Sequence, residues 1–199
     1  MVRMVCTLST ADLTVLYPIH SYRTRGAPPM SLTILQAARA CVAAPDRFLP
    51  VTIGTGHRKV TLIDATTGFA NPTKELLQEA QRVFGEDANM ATIVSIGSGE
   101  VKASKLSKGD DENALVEALK RVALNTETTH GELEGRLHDT FIYFRFNVDH
   151  GFEDVMDASL VHSYTSIYLK KAGVNRRLDE AMQSMHSRPK GAALKELSE

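Results

Sequence analysis

The chain is expected to belong to the α/β class, with a mostly parallel sheet flanked by helices. Three observations carry that expectation. A strand-helix-strand succession runs from Val60 to Ile96, the arrangement of a βαβ unit. The second of its strands, Met90 to Ile96, is apolar almost throughout and does not alternate, as a strand covered on both faces should not. A further strand signal, Thr140 to Asn147, is then followed by two segments of helical periodicity.

Taken in order, Val5 to Leu8 and Leu13 to Tyr17 are β-prone runs, and a breaker at Gly26, Pro28 and Pro29 follows them. Ser31 offers an N-cap to a helix whose stripe is Leu32, Ile34, Leu35, Ala38 and Val42, closed by Pro45. Val51 to Ile53 and Val60 to Ile63 read as short strands around a polar turn. Asn71 and Pro72 supply N-cap and first-turn signals for a helix presenting Leu76, Leu77, Ala80, Val83 and Phe84, with Gly85 as its stop. That helix is expected to connect the strands Val60 to Ile63 and Met90 to Ile96 as a parallel pair.

Beyond a polar connector from Glu100 to Asp111, helical spacing places Leu115, Leu119 and Val122 on one face, and another helix is expected over Glu132 to His138. Leu160, Tyr164, Ile167 and Tyr168 mark the next helix. Val174, Leu178, Met182 and Met185 mark the last, all read as core-packing positions.

Composition narrows the function classes. In 199 residues, 43% are hydrophobic and 24% charged, the ordinary balance of a folded domain. Twenty-three Lys plus Arg against 24 Asp plus Glu leave no basic field, so nucleic acid is not an expected partner. No apolar run reaches the length of a transmembrane segment. Cys6 and Cys41 are each set among apolar residues and read as buried free thiols, pointing to a reducing, cytoplasmic setting. The histidines at 20, 57, 130, 138, 150, 162 and 186 are dispersed, without metal-ligand spacing, so no metal or cofactor is expected.

Asp64 is the leading candidate site residue. It ends an apolar strand and precedes the polar turn Ala65-Thr66-Thr67-Gly68, where a carboxylate can face the crevice beyond a strand end. An Asx-type cap is the other reading of the same position. Ser95-Ile96-Gly97-Ser98-Gly99 either offers backbone amides to an anion or forms a turn, and the turn is favoured. Ile53-Gly54-Thr55-Gly56 fails as a dinucleotide fingerprint because Lys59 stands where the last glycine belongs. His150, just past the second strand signal, reads as a turn residue.

Several segments in order resemble the C-terminal half of a patatin-like phospholipase domain, especially the fungal forms. They are SYRTRGAPP (21–29), QAARACVAAPDRF (36–48), LIDATTGFANPTKELLQEAQRVF (62–84), SIGSG (95–99) and YFRFNVDHG (143–151). The resemblance implies a partial three-layer α/β sandwich over residues 1–186, and the polar stretch 187–199 is read from its own composition as a flexible tail. It also implies a serine-aspartate dyad in which Asp64 is the base that activates a GxSxG serine. No GxSxG and no early glycine-rich loop occur in the sequence, and Ala65 and Thr66 replace the small residues that the family places after its aspartate.

The expectation that follows is a truncated or split lipid acyl hydrolase, inactive in isolation, or otherwise a non-catalytic interaction or remnant domain. Its implied partners are a membrane phospholipid or acyl ester, engaged once the missing half is supplied, at a cytoplasmic location peripheral to membranes. Self-association is expected through apolar surface left open around Val60 to Ile63 and Met90 to Ile96.

Overall fold

A computed structural model describes residues 4–23, 32–45, 47–100, 112–149, 157–187 and 191–197. The chain divides into two compact units, the first comprising Met1–Pro72 with Val122–Leu124 and the second Thr73–Arg121 with Asn125–Glu199.

In the first unit, strands β1 (Met4–Ser9) and β2 (Asp12–His20) form a hairpin, and β3 (Val51–Ile53) and β4 (Val60–Asp64) complete a four-stranded sheet of order β2-β1-β4-β3. Every pairing in it is antiparallel. Helix α1 (Ile34–Cys41) starts from a capping box, in which the Thr33 hydroxyl accepts from the Gln36 amide at 3.1 Å and the Gln36 side chain accepts from the Thr33 amide at 2.9 Å. The cap expected at Ser31 lies outside the described residues, as does the segment 24–30. Ala40 of α1 packs with Ala43, Ile19, Val51, Ile53 and Leu62 over one face of the sheet, while Leu8, Ile63 and Ala65 form a smaller cluster. A short kinked helical turn, α2 (Thr66–Phe69), follows β4 and contains Gly68 at φ 95°.

The second unit is built around a parallel ribbon of two strands, β6 (Ile93–Ile96) and β7 (Tyr143–Phe146), in register Ile93 to Tyr143 through Ile96 to Phe146. Its alternating faces meet different helices. Ile93 and Tyr143 join Leu77 and Ala80 of α3 (Thr73–Phe84) and Leu133 and Leu137 of α5 (Glu127–Leu137). Phe144 and Phe146 pack instead on Tyr168 of α6 (Ala158–Leu169) and Ala181 of α7 (Ala172–Ser187). Helix α4 (Glu112–Ala123) buries only Ala118, and its expected stripe of Leu115, Leu119 and Val122 is 45–70% exposed. The stretch assigned above to a tail carries β8 (Ala192–Ala193) and α8 (Leu194–Leu197). β8 pairs with β5 (Asn89–Met90), and Leu194 and Leu197 are 2% and 1% exposed in the core with Leu77.

Two expectations are overturned. The mostly parallel α/β sandwich is replaced by small, mostly antiparallel sheets of four, two and two strands. The βαβ pairing of Val60 to Ile63 with Met90 to Ile96 also fails: β4 is already bonded on both sides, by β1 and by β3, while β6 takes its partner from β7. A two-residue connection between β1 and β2 closes that hairpin locally and sets β1 beside β4, occupying the edge that a parallel neighbour would have needed. On α3 the buried face is Thr73, Leu77, Glu79 and Ala80, whereas Leu76 and Phe84 are 50% and 60% exposed.

Candidate ligand site

The carboxyl ends of β6 and β7 hold the most organised polar chemistry of the second unit. Arg145 sits in mid-strand on β7 with its residue 8% exposed. Its Nη1 donates to Ser95 Oγ of the paired strand at 2.9 Å, and Ser95 Oγ lies 3.2 Å from Thr73 Oγ1 at the start of α3. Nη2 is 3.8 Å from Glu127 Oε1 at the start of α5, and that same oxygen accepts from Asn147 Nδ2 at 3.0 Å and Thr126 Oγ1 at 2.9 Å. The buried cation thereby meets one carboxylate and the Ser95 hydroxyl directly, with the Thr73 and Thr126 hydroxyls bonded to those two groups, which ties α3, α5, β6 and β7 together.

The SIGSG segment closes over this cluster. The Gly97 amide donates to Phe146 O at 2.8 Å, the Gly99 amide to Asn147 Oδ1 at 2.7 Å, and the Glu100 amide to Val148 O at 3.0 Å. These amides are used within the chain, so the segment is a structural turn and not a cradle for an anion. Gly97 is required sterically: a Cβ there would stand 2.3 Å from Asn147 Oδ1 and 2.6 Å from Arg145 Nη2.

On the opposite face of the ribbon, a trough of about 610 Å³ runs between β6, β7, α6 and α7. Its walls are Val94, Ile96, Phe146, Val148, Val161, Leu169, Leu178, Ala181, Met182 and Met185, with Gly97, Ser98, Asn147, Thr165 and Tyr168 completing them. None of these fifteen side chains is charged. Two of its polar residues are already engaged: Tyr168 accepts from the Asn147 amide at 3.2 Å, and both ends of the Asn147 carboxamide are hydrogen-bonded. Ile96, Met182 and Met185 are 79%, 63% and 52% exposed. The sequence reading placed Met182 and Met185 in the core. The signal it passed over is that they are methionines, spaced with Leu178 along one helix stripe, a residue type suited to adaptable binding surfaces.

Asp64, the residue singled out in the sequence, lies in the other unit at the end of β4, 5% exposed. Its Oδ2 accepts from Thr66 Oγ1 at 2.8 Å, a local Asx-like contact, and its Oδ1 has no hydrogen-bond partner among the described residues. Its amide donates to Ala43 O at 3.2 Å. Among the described residues no cluster of His, Cys, Asp and Glu could hold a metal, and no helix is long and apolar enough to cross a membrane.

No protein-family model matches the chain, and neither does any curated protein or solved structure. That result, with the mostly antiparallel sheets, overturns the patatin-like assignment and with it the lipid acyl hydrolase, its serine-aspartate dyad and the lipid-degradation role expected from the resemblance. The hydroxyl bonded to Asp64 is that of Thr66, two residues on, and no catalytic motif accompanies it. Fold and site together define a two-unit protein of mixed α and β structure with an apolar, uncharged trough as its candidate binding feature.

Proposed function

We propose that the chain is a binding protein for an elongated apolar ligand of the acyl-chain type, seated in the trough between β6, β7, α6 and α7. The observation that carries this reading is the uncharged, mainly aliphatic lining of a 610 Å³ concavity, with Met182 and Met185 in its wall and two of its polar neighbours, Asn147 and Tyr168, already hydrogen-bonded. That volume falls within the range of small-molecule sites, and such a surface rewards the burial of methylene groups rather than hydrogen bonding. This reading does not rest on the phospholipid or acyl ester implied by the overturned resemblance: the lining of the trough suits a hydrocarbon chain and offers no charged group to a head group.

The test is a chain-length series. Each buried methylene is worth about 0.8 kcal/mol, so displacement of a fluorescent apolar probe by fatty acids should strengthen about fourfold per added methylene until the trough is filled. Met182→Glu places a carboxylate on an exposed wall position and should weaken binding at least tenfold without changing the far-UV circular dichroism. Affinity independent of chain length, or unaltered in Met182→Glu, rules the reading out.

A further inference from the structure

We infer that the open edge of β6 is a self-association surface, at which two copies of this chain pair β6 against β6 in antiparallel register about a two-fold axis. The inference stands on backbone geometry and does not depend on the ligand proposed above. Ile93 donates its amide to Ile142 O at 2.7 Å and Gly97 to Phe146 O at 2.8 Å, so the odd-numbered residues of β6 face β7. By the two-residue period of a strand, the amides and carbonyls of Val94 and Ile96 face the other way. There, among the described residues, no strand pairs with them.

Among the described residues the other strand edges offer less: β5 and β8 are two residues long, and the four-stranded sheet and β7 carry features that block addition of a further strand. β2, at one edge of the four-stranded sheet, contains Pro18, which has no amide to give, and β3 at the other edge is three residues long. The far edge of β7 is capped where the Asn147 amide meets the Tyr168 hydroxyl. β6 has no proline, charge or bulge, and Val94 and Ile96 are 40% and 79% exposed.

A row of unpaired backbone donors and acceptors fits an extended chain, and the uncharged surface beside it fits one without charges. β6 itself is such a segment, so a second copy satisfies both requirements. Antiparallel pairing about a two-fold axis is self-complementary and closes after two copies. It requires the axis to run perpendicular to the sheet, which sets α6 and α7 of both copies on the same face of a four-stranded sheet. The apolar side chains of Val94 and Ile96 from each copy then lie side by side across the new seam. Of the two strands from which self-association was expected, β4 is excluded because both its edges are occupied.

Sedimentation of the full chain across a concentration series tests this. Wild type should pass from one 21.8 kDa chain to twice that mass. Val94→Lys, which installs an edge lysine, and Ile96→Pro, which deletes an outward amide, should each remain at single-chain mass over the same range. Val15→Lys on β2 and Met182→Glu in the trough should dimerise as wild type does. Amide hydrogen exchange on the wild-type protein decides the matter even where a variant does not fold, because Val94 and Ile96 should gain at least tenfold protection at concentrations where mass doubles. A single-chain mass throughout, or dimerisation without that gain in protection, overturns the inference.

Discussion

Arg145 on β7 and Ser95 on β6 face each other across the parallel ribbon, with Nη1 2.9 Å from Oγ and both residues more than nine-tenths buried. The serine hydroxyl is the acceptor for a guanidinium whose Nε and Nη2 make no hydrogen bond among the described residues, so it carries much of the cost of holding that charge inside. Ser95→Ala should lower unfolding stability by about 1–3 kcal/mol, read as a reduced urea midpoint at unchanged slope. A change under about 0.5 kcal/mol, ordinary for a surface site, would show that the contact is incidental.

Gly97 makes the same cluster sensitive to a single methyl group. Alanine there collides with Asn147 Oδ1 and Arg145 Nη2, so Gly97→Ala should destabilise by about 1–3 kcal/mol. Gly135, exposed on α5 with nothing within 4 Å of an added Cβ, gives the opposite expectation: Gly135→Ala should stabilise by about 0.5–1 kcal/mol through helix propensity. Thermal or urea unfolding of the two variants should therefore move in opposite directions.

Cys41 is exposed and Cys6 only half-buried, not buried as their apolar settings suggested, and Asp64 should be detectable through Cys41. Partial burial pushes the Cys41 thiol above its ordinary pKa, and the Asp64 carboxylate pushes it further by disfavouring a second negative charge. Asp64→Asn should shift the pH midpoint of Cys41 alkylation downward and raise its rate near pH 8, followed by peptide mass analysis that separates Cys41 from Cys6. An unchanged midpoint in a folded variant would mean that the carboxylate does not act on the thiol.

The start of α6 should respond to acid. Asp157 caps it, accepting from the Ser159 hydroxyl at 2.7 Å and the Ser159 amide at 2.8 Å, and these two bonds hold its carboxyl below the usual aspartate range. A lowered folded-state pKa means that the capping contribution is fully present above the ordinary value of about 3.9 and is lost as pH falls through the lower folded value. The Ser159 amide resonance should titrate in that acid window. Asp157→Asn, which caps without ionising, should abolish the titration while keeping the helix start.

Periodicity in the sequence was enough to locate most elements. The apolar runs at Val51 to Ile53 and Val60 to Ile63 became β3 and β4, and the longer run Thr140 to Asn147 contains β7, which spans only Tyr143–Phe146. The stripe of Val174, Leu178, Met182 and Met185 falls within α7, and Gly85, at φ 89°, ends α3 where it was expected to. These features are local: a 3.6-residue or two-residue repeat, a cap or a breaker acts within a few residues of itself. Strand partners are another matter, because alternation tells which way a side chain faces and not which strand lies alongside or in which direction it runs. Only the tertiary structure set β4 between β1 and β3 and joined β6 to a strand beginning at Tyr143. It also put Arg145, an apparent exception in an aromatic strand, beside Ser95, Thr73 and Glu127. The trough was illegible for the same physical reason. Met182 and Met185 have the spacing of core residues, and whether such a stripe is covered or left open depends on how far α6 and α7 stand from β6, a distance that no local pattern encodes.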